Sequence, residues 1–131
     1  KSYNNTIPLW LPEKQLRKAI MRIVTNSLEP GEQKDPDDSA LFAIYAAFAD
    51  AEQRAAMRQA YRDGIAWGEA KQKTFELIND ELAGSRERYQ ELVAHPDRIE
   101  EILVAGAAKA RAFATPYLAR IREAVGIRAL G

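Results

Sequence analysis

The sequence contains no cysteine and a single histidine, His95. Disulfide bonds and cysteine-based metal sites are therefore excluded, and a pair of histidine ligands cannot form. No apolar run approaches the roughly 20 residues that a membrane-spanning helix needs, and no signal-peptide segment opens the sequence. We therefore expect a cytoplasmic protein without a metal site in this sequence.

The motifs of a self-contained active site are also missing. There is no glycine-rich loop of the dinucleotide-binding or Walker type, and no Gly-x-Ser-x-Gly nucleophile elbow. The adjacent acids Asp37/Asp38 and Glu100/Glu101 lie at predicted helix starts, where negative charge favours the helix dipole. His95 precedes a proline at a predicted helix boundary, which suits a surface or capping residue better than a base. We do not expect a complete enzyme in this sequence.

The composition is that of one ordinary folded domain of 131 residues, with 47% apolar and 29% charged residues. The net charge is zero, so a uniformly basic nucleic-acid-binding protein is not supported. The charge is uneven, because residues 1–34 carry six Lys/Arg against three acids and residues 105–131 carry five against one. Either a local basic surface that meets phosphates or the solvated faces of helices would explain this pattern.

Apolar periodicity predicts an all-α helical bundle of about five helices, preceded by a short irregular segment. The segment is extended near Pro8, because proline disfavours helix in the residue before it. Pro12 suits the first position of a helix. The buried face of this first helix is predicted to carry Leu16, Ala19, Ile20, Ile23 and Val24. Residues 26–37 are predicted to form a loop that acts as a hinge or subdomain boundary.

Capping residues and glycines predict the next two helices. Asp37 or Asp38 is predicted to cap the second helix, and Asp50 the third. Gly64 is predicted to end the third helix. Their buried faces are predicted to carry Leu41, Ile44, Tyr45, Phe48, Met57 and Tyr61.

Two long helices are predicted in the rest of the chain. The fourth begins near Trp67 and ends at His95, and Asp97 is predicted to cap the fifth. Pro116 predicts a bend in the fifth helix, since proline removes a backbone hydrogen bond. The apolar seam of this helix runs through Ile99, Ile102, Leu103, Gly106, Ala110, Phe113, Tyr117, Ile121 and Val125.

Three groups of short runs carry a family resemblance. The first is residues 1–7, Lys-Ser-Tyr-Asn-Asn-Thr-Ile, and the second is residues 20–27. The third is residues 67–71, Trp-Gly-Glu-Ala-Lys, followed by residues 86–89 and 106–110. In this order, and finishing on residues 125–128, they closely resemble the C-terminal portion of bacterial tryptophanyl-tRNA synthetases, which are class I aminoacyl-tRNA synthetases. The resemblance covers essentially the whole chain.

The resemblance implies a full-length form that activates tryptophan with ATP and Mg²⁺, attaches it to tRNA(Trp) and works as a homodimer. Lys1 and Ser2 match the last two residues of the Lys-Met-Ser-Lys-Ser loop, which contacts ATP phosphates. The rest of that loop, the His-Ile-Gly-His-like motif and the tryptophan pocket are absent. We therefore expect residues 1–11 to be the remnant of the loop and a connector from a missing Rossmann catalytic domain. We also expect the chain alone to be inactive and to bind neither ATP nor Mg²⁺.

The resemblance further implies that residues 12–131 form a C-terminal helical, anticodon-binding domain. RNA binding needs cations for phosphates and exposed planar groups for splayed bases. The predicted tRNA contacts on the fourth helix are Lys71, Lys73, Arg86 and Arg88, with Lys71 and Arg86 placed first. Further cations lie along the last helix: Arg111, Arg120 and Arg122. Each cation could instead pair with a neighbouring acid. Trp67 and Tyr89 could stack on bases, although aromatic residues on an apolar seam are more often core.

Two other interpretations remain open. A helical assembly or dimerisation module without RNA contact is supported by the apolar stripe Ile7, Leu9, Trp10 and Leu11, which would pack on a catalytic domain and could self-associate if exposed. Such a module would form dimers, whereas RNA binding would weaken steeply with added salt. A tyrosine-specific synthetase is less favoured, because residues 23–25 suit the tryptophan enzyme better.

Overall fold

The computed structural model describes residues 6–127, which form five α-helices. These are α1 (Glu13–Met21), α2 (Ala40–Phe48), α3 (Ala51–Arg62), α4 (Trp67–Ala94) and α5 (Pro96–Ala124). Residues 6–127 contain no strand, so the predicted all-α fold is confirmed. The chain forms two compact units, Lys1–Tyr89 and Gln90–Gly131. Lys1 and Ser2 lie outside the described residues.

The first unit has its own hydrophobic core. Tyr61 is completely buried. Its ring packs in edge-to-face geometry with the Phe42 and Trp67 rings, and the ring centroids are 5.5 and 5.6 Å apart. Burial raises the pKa of the Tyr61 hydroxyl, which also shares a hydrogen bond of 3.1 Å with Ser39. The helices contribute buried side chains from the predicted faces and from positions beside them: Leu16, Ile20, Leu41, Phe42, Tyr45, Met57, Tyr61, Ala70, Phe75 and Ile78.

Helix α1 is shorter than its apolar pattern predicts. Pro12 is the N-cap, one position before the helix, rather than its first residue. The helix ends at Met21, so the spacing of 3.6 residues per turn no longer places Ile23 and Val24 on the buried face. Ile23 still packs against the core, whereas Val24 is 89% exposed. The prediction for Val24 was wrong.

The cap of α3 was predicted correctly. The Asp50 side chain accepts a hydrogen bond from the Gln53 backbone N–H at 2.8 Å, and the Gln53 side chain accepts one from the Asp50 N–H at 2.9 Å. This reciprocal pair satisfies two backbone donors that a helix start leaves open. At the other end, Gly64 follows the C-cap with a φ of +84°, as predicted.

The cap of α2 was predicted incorrectly. Ser39 caps this helix, because its Oγ accepts a hydrogen bond from the Phe42 backbone N–H at 3.2 Å. Asp37 instead accepts hydrogen bonds from both terminal nitrogens of Arg58, at 2.7 and 3.0 Å. This hydrogen-bonded guanidinium lowers the pKa of the Asp37 carboxyl. Asp38 lies next to the cap but is not the capping residue.

The start of α5 also differs from the prediction. His95 occupies the N-cap position without a side-chain hydrogen bond, and Pro96 is the first helical residue. Asp97 was predicted as the cap but lies inside the first turn, because proline is well suited to open the helix itself. Pro116 lies within α5, which continues on both sides of it.

The loop between α1 and α2 is anchored to the core. The Gly31 N–H donates to the Gly64 carbonyl at 2.8 Å, and the Lys34 N–H donates to the Tyr61 carbonyl at 2.9 Å. The Lys34 side chain is 1% exposed, and its ammonium donates to the carbonyls of Glu29 and Glu32. The loop therefore lies within the first unit, and the division between units falls between residues 89 and 90.

Candidate nucleic-acid interface

The two lysines predicted to bind RNA are engaged by the protein itself. Lys71 is half-buried, and its Nζ donates to the Met21 carbonyl at 3.3 Å, at the C-terminal end of α1. Such carbonyls lack helical partners, so Lys71 ties α4 to α1. Lys73 forms an ion pair of 3.1 Å with Glu69. It also lines a shallow acidic depression with Glu76, Asp80 and Glu81, which would repel phosphates.

Arg86, the other leading candidate, is buried rather than presented to solvent. Its side chain is only 8% exposed, and Nη1 donates to the Asn79 Oδ1 at 3.0 Å. The Nε and Nη2 atoms are shielded from solvent and have no hydrogen-bond partner among the described residues. A buried donor without a partner costs about 1–3 kcal/mol. In this conformation Arg86 does not contact RNA directly.

Replacing Arg86 by Met should leave the free energy of unfolding unchanged or raise it by about 1–2 kcal/mol, because a buried, half-satisfied charge is often less stable than an apolar side chain of similar length. Urea unfolding followed by circular dichroism measures the change. Arg88→Met, at the exposed position two residues later, is the control and should change little. A loss of more than 2 kcal/mol in Arg86→Met would mean that the guanidinium has a stabilising partner.

Two further candidates on α4 are Arg88 and the neighbouring Tyr89, and both are exposed. Arg88 is exposed, and no acid or carbonyl among residues 6–127 pairs with its side chain. The Tyr89 ring stacks on the Trp10 ring, with centroids 5.7 Å apart and planes within 17°. Both residues are about 40% exposed, so a nucleic-acid base could stack on the pair of rings. Trp67 is partly buried and packs against the core, and its indole N–H donates to the Asn26 Oδ1 at 3.1 Å.

An exposed row of cations along α1 and its C-cap was not among the predicted RNA contacts. Lys14, Lys18 and Arg22 follow each other at intervals of four residues, so they share one side of the helix at steps of about 6 Å. All three are exposed, and none forms an ion pair within the part of the chain that the structure describes. The Arg17 guanidinium lies 5.5 Å above the Phe75 ring. The excess of Lys/Arg in residues 1–34 was the signal that could have identified this row.

The arrangement suits binding rather than catalysis. Cations on α1 can meet phosphates, and the Trp10–Tyr89 pair offers a flat surface to a base. Residues 6–127 contain no cluster of acids and histidine that could hold a metal ion. No helix within this range has the length and apolar character needed to cross a membrane.

Comparisons with known proteins give the family. No protein-family model matches the chain. The chain is 63% identical over 99% of its length to a tryptophan–tRNA ligase of Pseudomonas aeruginosa, and 54% identical over 99% to one of Neisseria meningitidis. It belongs to the tryptophanyl-tRNA synthetase family. It matches the C-terminal part of these relatives and spans 29% and 39% of their lengths.

A solved structure supports membership in the tryptophanyl-tRNA synthetase family. The fold is similar to that of the tryptophanyl-tRNA synthetase from Campylobacter jejuni complexed with ADP and tryptophan, with a TM-score of 0.83 and 37% identity. The similarity covers 96% of this chain and 40% of that one. The resemblance found in the sequence is thereby confirmed over nearly the whole chain.

Proposed function

We propose that the chain is the C-terminal, tRNA-binding part of a tryptophan–tRNA ligase whose full-length form activates tryptophan with ATP and Mg²⁺ and attaches it to tRNA(Trp). The observation that carries this proposal is the 63% identity, over 99% of the chain, to the C-terminal part of a tryptophan–tRNA ligase. As part of the proposal, the protein works in the cytoplasm as a homodimer. Lys1 and Ser2 contact ATP phosphates when a Rossmann catalytic domain presents the nucleotide.

The chemistry of the described residues supports a role in RNA binding rather than in the activation of tryptophan. Residues 6–127 contain no cluster of acids and histidine that could hold a metal ion, and no glycine-rich phosphate loop for the activation step. They do offer groups that an RNA strand requires: cations along α1, Arg88, and the stacked Trp10 and Tyr89. We therefore assign anticodon binding to the first unit, and we rank the α1 row above the buried Arg86 and the paired Lys71 and Lys73 for phosphate contact.

Titration of the chain with tRNA(Trp) at increasing salt tests this proposal. A contact between a protein cation and a phosphate releases counterions, so each contact adds roughly one to the slope of log affinity against log salt. Lys18→Glu should reduce the affinity about tenfold at low salt and lower the slope by about one. Fluorescence anisotropy of labelled tRNA measures both quantities.

A matched charge reversal on another helix separates a specific surface from general repulsion. Arg62→Glu removes another exposed cation, on helix α3, which carries none of the proposed contacts, and should change the affinity by less than about threefold. Equal losses for Lys18→Glu and Arg62→Glu would contradict the assignment to α1. No salt-dependent tRNA binding, together with dimers in sedimentation, would favour the assembly module instead.

A further inference from the structure

The short helix α1 is joined to α4 by two side-chain contacts of matching spacing. The Lys71 ammonium on α4 donates to the Met21 carbonyl at 3.3 Å, and the Arg17 guanidinium on α1 lies 5.5 Å from the centre of the Phe75 ring on α4. On each helix the two contact residues lie about one helical turn apart, a step of about 6 Å. The contacts therefore fix α1 at two points along one side of α4.

These two contacts set the rotation of α1 about its own axis. Lys18 and Arg22 directly follow the contact residues Arg17 and Met21 in the sequence, and successive residues of a helix are about 100° apart around its axis. The row formed by Lys14, Lys18 and Arg22 therefore stands beside the contact side and faces solvent. If α1 rotated or frayed, these three cations would no longer point in one direction.

Helix α1 has little stability of its own. It is only 9 residues long, and its N-cap residue, Pro12, makes no side-chain hydrogen bond. Isolated helices shorter than about 12–15 residues are marginal in water, and like charges one turn apart repel each other. The row of cations that suits RNA therefore destabilises the helix that carries it. Leu16 and Ile20 anchor α1 in the core, and Lys71 adds a positive charge at the C-terminal end, where the helix dipole favours it.

We propose that Lys71 is a positioning residue for RNA binding, which holds the C-terminal end of α1 so that Lys14, Lys18 and Arg22 meet the phosphates of tRNA. This inference rests on the proposed function and deepens it. Lys71 is half-buried and bound to the Met21 carbonyl. Arg22, the C-cap residue of α1, directly follows Met21. Loss of the Lys71 ammonium should therefore weaken RNA binding through Arg22.

Direct contact between Lys71 and a phosphate is the competing explanation. A lysine ammonium has three donors, and the Met21 carbonyl takes one of them. The two explanations differ in a double-mutant cycle with Arg22. If Lys71 binds a phosphate by itself, the losses of affinity caused by removing Lys71 and Arg22 multiply. If Lys71 acts by positioning Arg22, the two losses overlap, because the second substitution removes a contact that the first has already weakened.

The test compares Lys71→Met, Arg22→Gln and the double variant with the parent chain, using fluorescence anisotropy of labelled tRNA(Trp). Lys71→Met and Arg22→Gln should each lower the affinity about fivefold at low salt. The double variant should bind no more than about twofold more weakly than the weaker single variant. Lys73→Met is the matched control, because it removes the same charge from α4 at a residue that pairs with Glu69. It should change the affinity by less than about twofold.

Hydrogen exchange of the free chain gives a measurement that does not depend on RNA. The backbone amides of residues 19–22, at the C-terminal end of α1, should exchange about tenfold faster in Lys71→Met, because this end of the helix opens more easily. The amides of α3 should be unchanged. Lys71→Arg keeps a cationic donor and should restore both the slow exchange and the tRNA affinity. If Lys71→Met does not fold, Lys71→Gln, which stays polar, replaces it in both measurements.

The outcomes separate this proposal from the proposed function. Losses of affinity that multiply in the double variant would overturn the positioning role, since Lys71 would then bind a phosphate directly. Unchanged exchange of the α1 amides in Lys71→Met, or unchanged tRNA affinity, would overturn it as well. A parent chain that binds no tRNA at any salt concentration would instead refute the proposed function, and the exchange data would still show whether Lys71 holds α1.

Discussion

Gly64→Ala is expected to lower the free energy of unfolding by about 4 kcal/mol. Gly64 has a φ of +84°, which L residues rarely adopt. A Cβ there would also lie 2.4 Å from the Gly31 carbonyl carbon and 2.6 Å from its Cα. Because these are backbone atoms, no side chain can move aside, and the whole contact between the α3–α4 turn and the loop must shift. Backbone strain and overpacking add at such a site.

Gly31→Ala is the control that separates these two costs. Its φ is +90°, so the conformational penalty is similar, but a Cβ at Gly31 meets nothing within 4 Å. We expect a loss of about 1–2 kcal/mol, as for an L residue in a left-handed conformation. Urea unfolding of both variants, followed by circular dichroism, measures the difference. If the two alanine variants lose the same amount, the close approach of the two glycines is not the cause.

Features decided within one helical turn were predictable from the sequence. The helical period located most of the buried positions of the first three helices, with Val24 as the exception. The Asp50–Gln53 capping box could be predicted because both partners lie within four residues of each other. At α2 three candidate caps stand close together, and the choice depends on Arg58, which engages Asp37 from 21 residues away. Contacts of that kind leave no local pattern.

The partner that each cationic side chain contacts was also harder to predict, because it depends on how the chain folds. Lys71 and Arg86 are chemically able to meet phosphates, yet the Lys71 ammonium donates to the Met21 carbonyl, 50 residues away, and the Arg86 guanidinium donates to Asn79 on the same helix. Lys14 and Lys18 stay exposed because α1 turns this side to solvent. The family resemblance predicted the family correctly over nearly the whole chain. It does not contain the packing that decides which cations remain available.

The Lys34→Met substitution should cost about 3 kcal/mol of unfolding free energy, although Lys34 looks like an ordinary loop charge in the sequence. The Lys34 Nζ donates to the carbonyls of Glu29 and Glu32 at 2.8 and 2.9 Å, and it lies 5.5 Å from the centre of the Trp67 ring. Hydrogen bonds that involve a charged group contribute about 1.5–3 kcal/mol each. Methionine keeps the apolar stem but removes all three interactions.

Lys14→Met provides the comparison, because it removes an exposed lysine that makes none of these contacts and should cost less than about 0.5 kcal/mol. Urea unfolding gives the total loss for each variant. Hydrogen exchange of the Gly31 amide, which donates to Gly64, reports on the loop itself and should accelerate in Lys34→Met alone. If Lys34→Met were as stable as Lys14→Met with an unchanged Gly31 amide, the ammonium would not organise the loop. The anchor would then be the backbone contacts at Gly31 and Tyr61, which the methionine leaves intact.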